Sequence, residues 1–456
     1  MSREQAVDTA AEHVDSGAFL DDLRRRVRYR TDSRQPHNPA MRAYLAEELV
    51  PAVEALGCRV RLVDNPVDGA GPMLLAHRHE GEGLTTVLVY GHADVVPGQE
   101  ERWREDLTPW EVTAEGDRWY GRGTADNKGQ HGVNLAALDQ VLRARGRLGF
   151  NLIVLVETAE EVGSPGLREV CAALRAELRA DVLIASDGPR AFAGAPTLFL
   201  GSRGMVDLTL TCDRDGSHHS GNWGGLLRNP ATVLVAALAS IVDGRGRIRL
   251  DALKPPPLPA SVRRVLADVE LGVSAHDPSI DPDWGEPGLS PAEQLLGWNT
   301  FEILAMTAGT PQQPVGAVPA SARAHCQLRF VVGTRWQEVS AALRRHLDEN
   351  GFADVAVSVD VSSPATRLDP DDPWVGWAMQ SIERTTGRPP TLLPNLGGTL
   401  PNDAFADVLG LPTLWVPHSH PACSQHAPNE HLLAGVARQG MQVMAGLFWD
   451  LGEHHP

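Results

Sequence analysis

The sequence predicts an α/β domain with a mostly parallel mixed sheet flanked by helices, interrupted by an inserted α+β domain. Three observations point there. Short apolar runs alternate with helical periodicity along the first part of the chain. At Gly201-Ser202-Arg203-Gly204 the texture changes to strands that alternate apolar and polar residues. From about Pro370 the first texture returns.

In order, residues 13–30 read as one helix whose basic turn, Arg24-Arg25-Arg26, is expected on a solvated face. Val87-Leu88-Val89 is an apolar run that ends at Gly91, and helical periodicity follows from about Gly132 to Leu142. Leu152 to Val156 is a second run, Leu167 to Leu178 is helical, and Val182 to Ala185 is a third run. Within the insert, Val206 to Leu210 alternates and a helix covers roughly 229–242. The Pro-rich stretch Lys254 to Pro259 breaks the chain. Ala322 to Phe330 alternates again, followed by a helix from Trp336 to Glu349 and a strand near 354–360. A helix, Trp374 to Thr386, and an apolar strand, Thr413 to Val416, restore the first pattern. The length of 456 residues exceeds one ordinary core. The expected division is 1–204 with 366–456 for the α/β domain, and 205–365 for the insert.

Hydrophobic residues make up 42% and charged residues 22%, a globular balance. The formal charge of −17 argues against nucleic acid or an anionic membrane surface as partner. Some of those carboxylates would be neutralised if they faced bound cations. Cys58, Cys171, Cys212, Cys326 and Cys423 are scattered and form no CxxC pair, which indicates small buried hydrophobes in a reducing compartment. The N-terminus has no apolar signal region, and no run of about eighteen apolar residues occurs. The expected location is the cytoplasm.

Four segments read as an apolar strand followed at once by acidic residues or histidine, three of them clearly after a predicted parallel strand. They are VLVYGHADVVP (His92, Asp94), GRGTADNKG (Asp126), VLVETAEEVGSPG (Glu160, Glu161) and LIASDGP (Asp187). The carboxyl ends of parallel strands converge on one crevice, so these side chains are expected to meet in space. Such a cluster would repel itself unless divalent cations neutralise it. Mixed oxygen and nitrogen donors suit Zn²⁺, with Mn²⁺ or Co²⁺ as alternatives. Taken singly, each segment has an ordinary reading: a capped His-x-Asp pair, a turn at Asp126-Asn127, a helix start at Glu160-Glu161, a turn at Ser186 to Pro189. Their joint placement carries the argument. The chain lacks HExxH, a nucleophile elbow, a complete dinucleotide loop and a Walker lysine pattern.

GHADVVP, GRGTADNKG, EEVGSPG, SDGP and HHSGNWGG occur together in this order. In that set the chain resembles the M20 metallopeptidases over nearly its whole length. That family includes carnosinase-related dipeptidases, glutamate carboxypeptidases and deacylases of acylated amino acids. The resemblance implies two metal ions in a catalytic domain, with the insert as a lid and dimerisation domain. His92, Asp126 and Asp187 are implied as ligands of the first ion, and Asp126, Glu161 and His426 of the second. The bond from Asp126 to Asn127 is often cis in the family. Asp94 would orient His92, and Glu160 would be the general base acting on metal-activated water. His418 and His420 are alternatives to His426, and Cys423 is expected to be a packed thiol.

In the insert, His219 matches a lid histidine that reaches the partner's active site in dimeric relatives and would stabilise the oxyanion. His218 is its adjacent alternative. Arg329 matches an arginine that holds the substrate carboxylate; a sheet-face salt bridge is its ordinary reading. Gly397, Gly398 and Thr399 resemble a loop at the substrate's carboxylate end, and Asn299 is a further lid candidate. The long insert and the SQHAPNE segment look closer to the dipeptidase branch. The expected activity is therefore hydrolysis of dipeptides by a homodimer, with an N-acyl amino acid deacylase as the alternative. A non-catalytic metal-binding protein would have lost a ligand or the base, and here all are present.

Overall fold

In the computed structural model, which describes residues 2–271 and 278–456, the chain forms two compact units. The first comprises 1–201, 367–396 and 401–456; the second comprises 202–366 and 397–400.

The first unit is built on an eight-stranded mixed sheet. Its spatial order is Arg59–Val63, Met73–Arg78, Asn151–Glu157, Thr86–His92, Val182–Ala185, Thr413–Trp415, Thr197–Phe199 and Thr391–Leu393. The four strands from Asn151–Glu157 to Thr413–Trp415 run parallel. They are the apolar runs of the sequence, and apart from the half-buried Thr86 they are buried along their lengths. Antiparallel pairing begins on either side of them, at Leu74↔Val156 and at Trp415↔Phe199. The helices Arg3–Asp15, Lys128–Arg145 and Ala434–Leu451 pack against one another over the main core.

The single helix read over 13–30 is two helices, Arg3–Asp15 and Ala18–Val27. Gly17 separates them with φ of 84°, a left-handed conformation that glycine adopts without a steric penalty. The basic turn also departs from expectation at one position. Arg24 and Arg25 pair with Asp21 and Asp22, but Arg26 is buried. It falls on the inner face with Leu23 and Val27, as the 3.6-residue period requires. The helix at Leu167 ends at Ala173 and continues to Leu178 as turns.

The second unit holds a four-stranded antiparallel sheet in the order Thr300–Ala308, Ser321–Phe330, Gly204–Asp213, Val355–Ser363. Strand Gly204–Asp213 alternates buried and half-buried residues, as its sequence predicts. Helices Pro230–Ile241 and Val339–Glu349 contribute to the core on one face. No helix among the described residues is long and apolar enough to cross a membrane. All five cysteines are free and buried.

Candidate metal centre

Three parallel strands end side by side in the first unit. His92 closes one, opposite Glu157 on the next. Glu160 and Glu161 follow that second strand in a single 3₁₀ turn. Asp187 lies two residues beyond the third strand, Val182–Ala185. Asp126 arrives differently, from the turn before helix Lys128–Arg145, and its peptide bond to Asn127 is cis. That turn approaches the helix closely. A Cβ on Gly129 would lie 1.9 Å from the Thr124 carbonyl oxygen, so only glycine fits there.

The side chains assemble into two groups that share Asp126. His92, Asp126 and Asp187 form one, and Asp126, Glu161 and His426 form the other. In the first, His92 Nε2 lies 3.0 Å from Asp126 Oδ1 and 3.5 Å from Asp187 Oδ2. In the second, His426 Nε2 lies 2.9 Å from Asp126 Oδ2 and 3.0 Å from Glu161 Oε2. All five predicted donors are thereby brought together. His418 and His420 belong to neither group. His418 Nε2 meets the Ser186 hydroxyl at 3.0 Å, and the His420 ring packs against His431. Cys423 is buried, and burial pushes its thiol up to about 11.

Asp94 is fully buried beside His92, its Oδ1 lying 3.4 Å from Nδ1. It also accepts the backbone N–H groups of Glu160 and Glu161 at 3.1 and 3.0 Å. The electrostatics of the cluster are those of crowded carboxylates. Burial pushes the Glu160 carboxyl well above its usual range, and the charges of Asp187, Glu161 and Asp126 add to this against the pull of His92. Burial, with the charge of Asp126, raises Glu161 to about 7. Burial opposes ionisation of Asp126, yet hydrogen bonds from His426 and His92 outweigh it and hold that carboxyl low. His426 is raised to about 11 by hydrogen bonds to Asp126 and Glu161.

These residues fit divalent cations. Each group offers carboxylate oxygens and an imidazole nitrogen, the donors of catalytic zinc-type sites. One oxygen of Glu161, Oε1, is buried without a hydrogen-bond partner. A positive ion would satisfy that atom and replace the protons that the cluster otherwise has to share.

The sequence reading missed three side chains around the centre. Gln425 Nε2 donates to Asp126 Oδ2 at 2.6 Å. Gln130 Nε2 donates to the Ala125 and Gly188 carbonyls at 2.9 and 3.2 Å, tying the Asp126 turn to the Asp187 turn. Glu430 accepts hydrogen bonds from the Asp126 turn. Gln425 and Glu430 stand in the same short segment as His426, which was the available signal; Gln130 has none beyond its place four residues after Asp126.

In the second unit, Arg329 donates through Nε to Gln327 Oε1 and through Nη1 to Thr399 Oγ1, both at 2.7 Å. It forms no salt bridge among the described residues, so the sheet-face ion pair is not found. Asn299 is buried, and its side chain is hydrogen-bonded internally to Leu253, Thr334 and Val331. His218 Nε2 is engaged with the Asp215 carbonyl at 3.0 Å, whereas His219 is exposed.

The family described as Peptidase family M20/M25/M40 matches residues 88–450. The chain is 26% identical over 473 residues to a beta-Ala-His dipeptidase of Rattus norvegicus, covering 96% of this chain and 93% of the relative. It is 28% identical over 331 residues to a cysteinylglycine-S-conjugate dipeptidase of Corynebacterium striatum, covering 69% and 70%. Its fold matches an M20 family metallo-carboxypeptidase from Sulfolobus solfataricus with TM-score 0.82, at 23% identity over 95% of this chain and 99% of the other. It matches human carnosine dipeptidase 1 with TM-score 0.78, at 23% identity over 99% of both chains. With a matching profile over most of its length, this chain belongs to the M20/M25/M40 peptidase family.

Proposed function

We propose that the chain is a dipeptidase that employs two divalent ions, zinc in first place, to hydrolyse an amide bond in small carboxylate-bearing substrates. The observation that carries this reading is the division of Asp126 between two donor groups, one oxygen toward His92 and the other toward His426. His92, Asp126 and Asp187 would hold one ion, and Asp126, Glu161 and His426 the other. Ions bound there would polarise the substrate carbonyl and lower the pKa of water.

Glu160 belongs to neither group, and a carboxyl raised by burial and neighbouring charge suits a proton carrier. It takes a proton from the attacking water and delivers it to the leaving amine. Asp94 holds the His92 ring and the turn that presents Glu160. Arg329, with Thr399, would meet the substrate carboxylate, and Gly397 and Gly398 would let the backbone approach it. His219, exposed and free of the contact that engages His218, would donate to the developing oxyanion.

We place His219 in the active site of a second copy within a homodimer. Strand Thr300–Ala308 is an edge of its sheet and exposes Ile303, Leu304 and Met306, an apolar edge suited to pairing. The five free, buried thiols fit a cytoplasmic location. The dipeptide class is favoured by relatives named as beta-Ala-His and cysteinylglycine-S-conjugate dipeptidases. The test is a panel of dipeptides and N-acyl amino acids assayed with metal-free and zinc-loaded protein. Zinc-dependent dipeptide cleavage is expected. Preference for the acylated amino acids would move the assignment to a deacylase, and cleavage of neither would refute it.

A further inference from the structure

Glu430 lies four residues beyond His426 and is fully buried, yet it is a donor of neither group. Its Oε1 accepts three backbone N–H groups, from Gly123 at 3.0 Å, Ala125 at 2.9 Å and Asp126 at 3.1 Å. Its Oε2 accepts Arg122 Nη1 at 2.6 Å, and its own carbonyl accepts the Gly121 N–H at 2.9 Å. The turn from Gly121 to Asp126 is thus wrapped around one carboxylate, an arrangement in which convergent amides hold an anion. The buried charge of Glu430 is compensated by the buried charge of Arg122.

The consequence lies in what this carboxylate connects. Asp126 and His426 are 300 positions apart in sequence, and neither sits on a strand of the large sheet. His92 and Asp187, by contrast, are fixed at or just beyond the ends of parallel strands that pair with each other. The segment that carries His426 also holds Ser424, His426 and Asn429 at φ of 57°, 60° and 63°. Non-glycine residues persist in that left-handed region only where surrounding contacts determine it. Glu430, in the same segment, grips the backbone N–H of Asp126 itself.

We propose that Glu430 is a positioning residue that fixes the Asp126 turn against the His426 segment and so governs binding at the Asp126–Glu161–His426 group more than at the His92–Asp126–Asp187 group. The inference rests on the metal centre proposed above.

Two double variants of the full chain isolate the effect. Arg122→Met with Glu430→Gln removes both buried charges but keeps an oxygen for the three amides. Arg122→Met with Glu430→Ala removes that oxygen as well. Zinc is titrated calorimetrically into each metal-free protein, with His426→Ala identifying the step that belongs to the second group. Wild type should bind two ions; if it does not, the metal centre fails and not the role of Glu430. The Gln variant should keep both steps. The Ala variant should lose about 10–100-fold in the step that His426→Ala abolishes, with a smaller change in the other. Equal affinities in the two double variants would overturn the proposal. Amide hydrogen exchange on metal-free wild type is a second reading that needs no variant. Gly123, Ala125 and Asp126 should be protected before metal is added; exchange as fast as in an exposed loop would also overturn it.

Discussion

Asp94 accepts the backbone N–H of Glu161 at 3.0 Å while its other oxygen lies 3.4 Å from the imidazole of His92. One buried carboxylate therefore orients a donor of the first group and the turn that carries a donor of the second. Its hydrogen bond from the Glu160 N–H adds the proposed base to the same anchor. Asp94→Ala should weaken metal binding by about 10–100-fold and lower kcat as well. Competition against a chelating indicator, beside steady-state kinetics, checks both. A variant with unchanged affinity and kcat would show that His92 and the Glu160 turn are held by other contacts.

Glu160 and Glu161 are neighbours in sequence for which we propose different roles. Only Glu161 falls within hydrogen-bonding distance of His426 and among the donors. Glu160→Gln should retain both ions, measured by elemental analysis after dialysis, and lose turnover by about 10²–10⁴-fold. The same change at Glu161 should lose metal first. If Glu160→Gln were active and metal-loaded, the base would have to be another group.

Metal binding should depend on pH with a definite sign. Metal-free Glu161 is raised to about 7, chiefly by burial and by the charge of Asp126. His426 is raised to about 11 by hydrogen bonds to Asp126 and Glu161, so it carries a proton that an ion has to displace. Lowering the pH through 7 adds the Glu161 proton to that competition. Zinc affinity should therefore fall as pH falls, with more protons released per ion at pH about 6 than at about 8. Calorimetry in buffers of different ionisation enthalpy measures that release, and an affinity flat across this range would contradict the assigned donors.

Arg329 has side-chain hydrogen bonds to the neutral Gln327 and Thr399 and forms no salt bridge among the described residues, with the charge of Asp207 acting on it only at a distance. Arg329→Met should raise KM for dipeptides by about 10–100-fold, the worth of charge-assisted hydrogen bonds. Dipeptides amidated at the C-terminus should lose that dependence. Equal effects on free and amidated substrates would assign Arg329 to packing.

The parts of the fold written in short periods were legible beforehand. Buried parallel strands show as apolar runs because both their faces are covered, and His92, Glu160, Glu161 and Asp187 could be placed from them. His426 could not, since its segment has no periodicity and its conformation depends on distant partners; only family resemblance singled it out. Glu430 and Gln130 escaped for a related reason. Their function is to receive or donate backbone hydrogen bonds across long sequence separations, which leaves no local pattern. Arg26 was misread because charge was weighed above helical phase, although it shares the inner face with Leu23 and Val27.

His219 supplies the sharpest test of assembly. It is exposed at the end of a two-residue strand pairing with Ala317–Val318, while its neighbour His218 is tied to Asp215. His219→Ala should lower kcat by about 10²–10³-fold, the usual cost of losing one oxyanion donor, with metal content unchanged because His219 belongs to neither donor group. If it acts across a dimer, two inactive variants should complement each other. Glu160→Gln chains keep His219, and His219→Ala chains keep Glu160. In a mixed dimer, the site on the His219→Ala chain would have an intact base and receive His219 from its partner. The other site would lack both. Random mixing at equal amounts should then restore about a quarter of wild-type activity, since half the dimers are mixed and each has one working site. No recovery after verified subunit exchange would mean that His219 serves its own chain or has no role in the reaction.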